Sequence, residues 1–131
     1  MGKIPEGTWI VVADGAGARV FTNIGTERKV SLRQDDLLSQ EDLAADGGPG
    51  NVPKEQSLAD LGEAAFSQQL AQRINAAALK NLFSHMVLIA DPQSLGRIRP
   101  LLHKQAQSRM VGELAKTLTN SPVEDIERAL H

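Results

Sequence analysis

Cysteine is absent from the 131-residue chain, and aromatic residues are scarce, with one Trp, three Phe and no Tyr. The lack of cysteine excludes disulfides, thiolate zinc sites and a cysteine nucleophile. The lack of aromatics predicts an aliphatic core and leaves few platforms on which the bases of a single-stranded nucleic acid stack. No apolar run approaches the length of a membrane span, and the start "MGKIPEG" has no apolar signal region. We therefore expect a cytoplasmic protein without membrane contact.

Apolar residues make up 41% of the chain and charged residues 23%, which is typical of a globular protein. The length fits one domain spanning residues 1–131. The net charge is only −2, but residues 35–63 carry eight acids and one base, whereas residues 64–119 carry seven bases and two acids. A basic half suits a phosphate-bearing partner, although charges on exposed helix faces usually serve only solvation.

The first third of the chain predicts three strands. "TWIVVAD" is a continuous apolar run typical of a strand buried on both faces. "DGAG" predicts a turn whose glycines are able to take positive φ, and "ARVFTNI" alternates as a second strand in which Val20, Thr22 and Ile24 share a face. "ERKVSLR" predicts a third strand with a charged face, as edge strands have. Residues 35 to about 60 predict a long acidic, glycine-rich loop.

The remainder predicts helices alternating with strands. A stripe at every fourth residue predicts a helix from about Leu61, "HMVLIAD" and "RMVGEL" predict two strands, and two Pro-containing segments predict helix starts. The order β-β-β-loop-α-β-α-β-α predicts an α/β domain with a mixed five-stranded sheet in order 3-2-1-4-5. The helical residues behind this prediction are the stripe Phe66, Leu70, Ile74, Ala78 and Leu82, the Asp91 cap with inward Leu95, Ile98, Leu101 and Leu102, and the capping box of Ser121, Pro122 and Glu124 with inward Val123, Ile126 and Leu130.

Three segments resemble the host attachment protein family, whose members are named as proteins required for attachment to host cells. They are "WIVVADGAGARVF", "MVLIADPQSLGRIR" and "VGELAKTLT". In the third segment, the family's Lys-Asp-Leu-Thr is matched by Lys116, Leu118 and Thr119, with Thr117 in place of the acid. The resemblance extends over nearly the whole chain. The family name implies a cellular phenotype and supplies no chemical mechanism.

The turn Asp14-Gly15-x-Gly17-Ala18 also resembles, more distantly, the middle domain of archaeal and eukaryotic peptide-chain release factors. This resemblance implies release-factor middle-domain, ribonuclease-H-like topology and a link to the ribosome. In those factors a Gly-Gly-Gln loop after the third strand assists hydrolysis of peptidyl-tRNA. Gly47 and Gly48 match its glycines, but Pro49 stands in place of the glutamine. Proline lacks an N–H donor, so we interpret the segment first as a surface loop.

Three hypotheses about function follow. The first is a non-enzymatic binding module for a ribosomal, RNA or protein partner, and the second is a peptidyl-tRNA hydrolase or rescue factor that uses Gly47 and Gly48. The third is a magnesium-dependent nuclease with carboxylates from Asp14, Asp91 and Glu113. Each of these three acids also has a purely structural interpretation: Asp14 opens a turn, Asp91 caps a helix, and Glu113 faces solvent. No cofactor is expected, the three histidines share no metal-ligand spacing, and the oligomeric state stays open. Under the first hypothesis the binding residues are Gly47, Gly48, Gly50, Asn51, Arg97, Arg99, Lys104, Arg109, Lys116 and Thr119.

Overall fold

A computed structural model describes residues 3–39 and 58–131, with the backbone alone for residues 58–61. The strands are β1 (Trp9–Ala13), β2 (Gly17–Asn23), β3 (Leu32–Ser39), β4 (Met86–Ala90) and β5 (Met110–Ala115). The helices are α1 (Leu58–Leu79), α2 (Pro92–Ile98), α3 (Lys104–Gln107) and α4 (Val123–Ala129), with a 3-10 turn at Arg99–Leu101 between α2 and α3.

The five strands form one mixed sheet in the order β3-β2-β1-β4-β5. β1 pairs antiparallel with β2 and parallel with β4, β2 pairs antiparallel with β3, and β4 pairs parallel with β5. This arrangement confirms the predicted fold class and strand order. The sheet has two ends. We call the end where the parallel strands finish, at Ala13, Ala90 and Ala115, the carboxyl edge, and the end where they start, at Trp9, Met86 and Met110, the amino edge.

The two central strands are buried on both faces, as their unbroken apolar runs predict. Residues 10–13 of β1 and all of β4 have no exposed surface. Because successive strand side chains point to opposite faces, these residues feed two separate cores. One core lies under α1, α2 and α3, and the other contains Ile4 and the inward side of α4. Full burial of a Leu or Ile side chain contributes about 1.5–3 kcal/mol, so this aliphatic sheet is the main source of stability.

The prediction for β3 was wrong in position. The strand begins at Leu32 and continues to Ser39, into the stretch predicted as a loop. Residues 24–31 form a turn instead, in which the Asn23 side-chain oxygen accepts from the backbone N–H of Gly25 and Ser31 at 2.9 and 3.1 Å. Ile24 is 51% exposed in this turn and shares no face with Val20. The rest of the predicted loop, from residue 40 to 57, lies outside the described residues.

The long helix α1 starts at Leu58 and not near residue 61, and it ends at Leu79. Its predicted stripe is buried at four positions, but Leu82 lies beyond the helix and is 58% exposed. The cause is Asn81, whose φ of 57° turns the chain out of the helix. The buried positions are Phe66, Leu70, Ile74 and Ala78.

The two predicted helix caps have different outcomes. Asp91 caps α2 as predicted, because its Oδ2 accepts from the Ser94 backbone N–H at 3.1 Å. The capping box was wrong: Pro122 occupies the N-cap of α4, which has no side-chain cap hydrogen bond. The inward positions of α4, Ile126 and Leu130, are nevertheless buried.

The predicted apolar face of α2 was also wrong at its end. The helix gives way to the 3-10 turn at Arg99–Leu101, and Pro100 within that turn lacks an N–H for continuing an α-helix. Leu101 is therefore 41% exposed, while Leu95, Ile98 and Leu102 are buried. The short helix α3 that follows was not predicted.

The glycines of the "DGAG" turn do not use the positive φ that glycine permits. Within the described part of the chain, positive φ occurs at Gly7 and Asn81. A Cβ at Gly15 would lie 2.5 Å from the Cγ of Glu63, a partly exposed side chain that can move aside. A Cβ at Gly17 would lie 3.0 Å from the Leu38 backbone oxygen of β3. Space is therefore tighter for a side chain at Gly17, where the neighbour is backbone.

Candidate functional site

The carboxyl edge brings two of the candidate acids together. Ala13 of β1 pairs with Ala90 of β4, so Asp14 and Asp91 directly follow paired residues of adjacent parallel strands. The fold thus produces the juxtaposition that the sequence predicted for these two carboxylates.

Both carboxylates are, however, engaged in holding local backbone. The Asp14 Oδ1 accepts from the backbone N–H groups of Ala16 and Gly17, both at 2.8 Å, and so closes the β1–β2 turn. The Asp91 Oδ2 caps α2 through Ser94. The Asp91 Oδ1 is buried and has no partner among the described residues. The geometry explains both acids as structural groups.

Glu113 lies apart from these acids. It pairs in register with Leu88, two residues before the carboxyl edge, on the outermost strand β5. Its Oε1 forms an ion pair with Arg99 at 3.2 Å, in an open cleft of about 490 Å³. Within residues 3–39 and 58–131, no three His, Cys, Asp or Glu side chains are grouped so that they could hold a metal ion. The described residues therefore give no support to a two-magnesium centre.

Besides Arg99, two more of the candidate basic residues are tied to other groups. The Arg97 Nη1 pairs with the Glu63 Oε2 at 3.1 Å, beside the close approach to Gly15. Arg109 donates from Nη1 to the Phe83 carbonyl at 2.8 Å and from Nη2 to the Asn81 Oδ1 at 2.7 Å. Arg97 thus joins α2 to α1, and Arg109 joins β5 to the chain that follows α1.

Lys104 and Lys116 are exposed and form no ion pair within the described ranges. Lys104 begins α3, shortly before the amino edge, whereas Lys116 follows β5 at the carboxyl edge. β5 has six residues, and at about 3.3 Å per residue its ends lie roughly 20 Å apart. The candidate bases therefore do not form one surface.

Thr119 is held by a residue that the sequence analysis did not select. Arg19 of β2 donates from Nη1 to the carbonyls of Thr119 and Ser121 at 3.1 and 2.7 Å, and its guanidinium lies 4.8 Å from the Phe21 ring centroid. The Thr119 hydroxyl is buried without a partner among the described residues. The sequence feature that could have pointed to Arg19 is the presence of an arginine within an otherwise half-buried strand.

A second cleft, of about 410 Å³, lies between α1 and the sheet near β1, β2 and β3. Its floor is mainly apolar, with Trp9, Val11 and Ile74 among its residues, and Asp35 and Lys80 lie in its lining. Burial acts to raise the pKa of Asp35, but hydrogen bonds from Arg33 and Thr22 and the charge of Arg33 outweigh it and lower that pKa. The sequence did not predict this cleft, because it depends on which part of the sheet α1 leaves uncovered.

The glycine candidates Gly47, Gly48 and Gly50, together with Asn51, lie outside the described residues. The strand before them ends at Ser39, which pairs with Gly17 at the carboxyl edge. The helix after them starts at Leu58, one turn before the contact of Glu63 with Gly15. The described segments on either side of residues 40–57 thus both reach the carboxyl edge.

The fold and its β1–β2 turn define a release-factor-like α/β domain. The family model for "Bacterial archaeo-eukaryotic release factor family 12" matches residues 7–130, and the chain belongs to this family. Membership indicates a translation-related role. The match does not confirm the host attachment family, and no curated protein matches the chain. Among the described residues, no helix is long and apolar enough to cross a membrane.

Proposed function

We propose that this domain is a cytoplasmic, non-catalytic binding module that associates with the ribosome. The observation that carries the proposal is the match to a release-factor family over residues 7–130, almost the entire chain. The family is one of release factors, and release factors act on ribosomes. The host attachment resemblance adds no chemistry to this proposal.

Binding without catalysis is supported by the engagement of the candidate catalytic groups. Asp14 closes a turn, Asp91 caps a helix, and Glu113 pairs with Arg99. In the sequence, Pro49 follows Gly47 and Gly48 at the place where release factors carry glutamine. A proline at that place offers no backbone N–H to an attacking water or a developing oxyanion.

Co-sedimentation with bacterial ribosomes tests the proposal. The protein is centrifuged through a sucrose cushion with and without ribosomes, at low and moderate salt, and the pelleted fraction is measured. We expect ribosome-dependent pelleting that decreases as the salt concentration rises, because contacts with RNA phosphates release counterions. Absence of pelleting at low salt would contradict the proposal.

Peptidyl-tRNA hydrolysis or ribosome rescue is the second candidate, favoured by the family match and by Gly47 and Gly48. Its test is release of a labelled peptide from stalled ribosomes. Gly48→Ala is the loss variant, and Pro49→Gln is the matched gain variant, because it restores the release-factor glutamine. Release by the wild-type protein that Gly48→Ala abolishes would replace the binding-only proposal with a catalytic one.

A further inference from the structure

The amino edge of the sheet gathers segments that are far apart in sequence. It is formed by the residues before β1, the turn at 24–31, the chain between α1 and β4, and α3 with the residues that join it to β5. Three backbone hydrogen bonds of 2.8–2.9 Å hold these segments side by side: Gly7 N to Asn23 O, Trp9 N to His85 O, and Met86 N to Arg109 O.

This edge is rich in basic side chains. Six bases lie on its segments, against two acids, Glu6 and Glu27. Arg109 is engaged with Phe83 and Asn81, whereas the other five bases are exposed and have no ion pair within residues 3–39 and 58–131. We call these five, Lys3, Arg28, Lys29, Lys80 and Lys104, the amino-edge basic surface.

The opposite edge has a different charge. Asp14, Asp91 and Glu63 lie there, with Arg97 already paired to Glu63, and Lys116 is the remaining base. In the sequence, the stretch 40–57 between β3 and α1 carries four acids and one base. The fold therefore separates charges that the linear sequence mixes, since Arg28 and Lys29 precede the acidic stretch.

The bases extend across the sheet and do not converge on one point. Arg28 and Lys29 lie in the turn between β2 and β3, Lys80 follows α1, and Lys104 lies near the start of β5. Five strands at about 4.8 Å spacing give a row of roughly 20 Å. A row of this length matches a polyanion with regularly spaced charges better than a single phosphate group.

We propose that the amino-edge basic surface binds the phosphate backbone of RNA without reading its sequence. The proposal rests on the proposed ribosome association and names the surface that would carry it. Sequence reading needs base-edge contacts or aromatic platforms, and the one Trp of the chain stacks on Phe83 with ring centroids 4.9 Å apart. Two large apolar side chains on these segments are exposed, Ile24 at 51% and Leu82 at 58%. They lie in separate turns, whereas insertion into a lipid surface takes the continuous apolar face of an amphipathic helix.

The test is fluorescence anisotropy with a fluorescein-labelled single-stranded oligouridylate and a labelled RNA duplex. Lys29→Glu, Lys80→Glu and Lys104→Glu are compared with Lys116→Glu, which makes the same charge change at the carboxyl edge. Circular dichroism checks that each variant is folded. We expect each amino-edge variant to weaken binding of both RNAs and to reduce the slope of log affinity against log salt by about one, as loss of one phosphate contact does. Lys116→Glu should bind as the wild-type protein does.

Equal affinities for Lys29→Glu, Lys104→Glu and the wild type would overturn the proposal, as would binding to anionic vesicles without binding to RNA. Ribosome pelleting by a protein that binds neither RNA would overturn it too and leave the proposed function intact. RNA binding that depends on these lysines, in a protein that does not pellet with ribosomes, would support this surface and contradict the proposed function.

Discussion

Arg109 donates from Nη2 to the Asn81 Oδ1 at 2.7 Å and joins the start of β5 to the turn that ends α1. Its Nη1 holds the Phe83 carbonyl of the same turn. The backbone of Asn81, with its positive φ, ends the helix, and the side chain of the same residue accepts the hydrogen bond from Arg109. This contact organises the middle of the amino edge, and it explains why one base there is unavailable to a partner.

Arg109→Ala should therefore act on stability. The substitution leaves the part-buried Phe83 carbonyl without its donor, whereas the exposed Asn81 Oδ1 binds water instead. We therefore expect a loss of about 1–2 kcal/mol in the free energy of unfolding. Arg99→Ala is the matched control, because its ion pair with Glu113 is largely exposed and should contribute only about 0–1 kcal/mol. Urea denaturation followed by circular dichroism measures both. Equal stabilities for the two variants would contradict the assigned role of Arg109.

Two glycines should respond to alanine in opposite directions. A Cβ at Gly25 would lie 2.3 Å from the Lys29 backbone oxygen, so Gly25→Ala must displace the turn and should destabilise by about 1–3 kcal/mol. A Cβ at Gly96 meets nothing within 4 Å in the helix α2, so Gly96→Ala should stabilise by about 0.5–1 kcal/mol. Thermal unfolding of both variants provides the comparison. A stabilised Gly25→Ala protein would show that the turn at 24–31 is placed wrongly.

Substitutions of Asp91 distinguish a structural role of this residue from a metal-binding role. Asp91→Ala removes the cap of α2 and should cost about 0.5–2 kcal/mol, whereas Asp91→Asn keeps a capping oxygen and should be close to neutral. We also expect magnesium to leave the unfolding temperature of the wild-type protein unchanged. A magnesium-induced rise in that temperature, abolished in Asp91→Asn, would revive the nuclease hypothesis.

The pKa of Asp35 is lowered because hydrogen bonds from Arg33 and Thr22 and the charge of Arg33 outweigh the opposing effect of burial. A lowered pKa in the folded state means that the ionised carboxylate stabilises the fold at pH values above the unfolded pKa of about 3.9. This contribution is lost as the pH falls through the lower folded value. Carboxyl carbon chemical shifts in an NMR titration report the pKa, with Asp35→Asn as the assignment control. A midpoint at or above the unfolded value would refute the assignment.

The order and pairing of the strands could be predicted because the buried strands β1 and β4 are apolar without interruption. The errors lie where backbone geometry overrides the pattern. Val30 alternates with Leu32 as in a strand, yet Val30 lies in a turn, because the Asn23 side chain accepts from the backbone N–H groups of Gly25 and Ser31. Such side-chain contacts to backbone leave no periodic signal in the sequence.

The candidate site was predictable only in part. The sequence predicts that Asp14 and Asp91 follow neighbouring parallel strands, and in the structure they directly follow the paired residues Ala13 and Ala90. The placement of Lys29, Lys80 and Lys104 along one edge was missed, because it arises only when three segments that are separate in the sequence reach the same edge of the sheet. Assigning each charged residue to a sheet edge from the predicted strand order would have identified this placement of the lysines.

Co-sedimentation of the double variant Lys29→Glu/Lys104→Glu with bacterial ribosomes tests the central claim most directly. Lys116→Glu and the wild-type protein are the controls, measured between about 50 and 200 mM salt, where phosphate-dependent binding changes steeply. We expect the wild type and Lys116→Glu to pellet with ribosomes at low salt and the folded double variant to stay in the supernatant. Pelleting of the double variant to the same extent as the wild type would contradict the central claim.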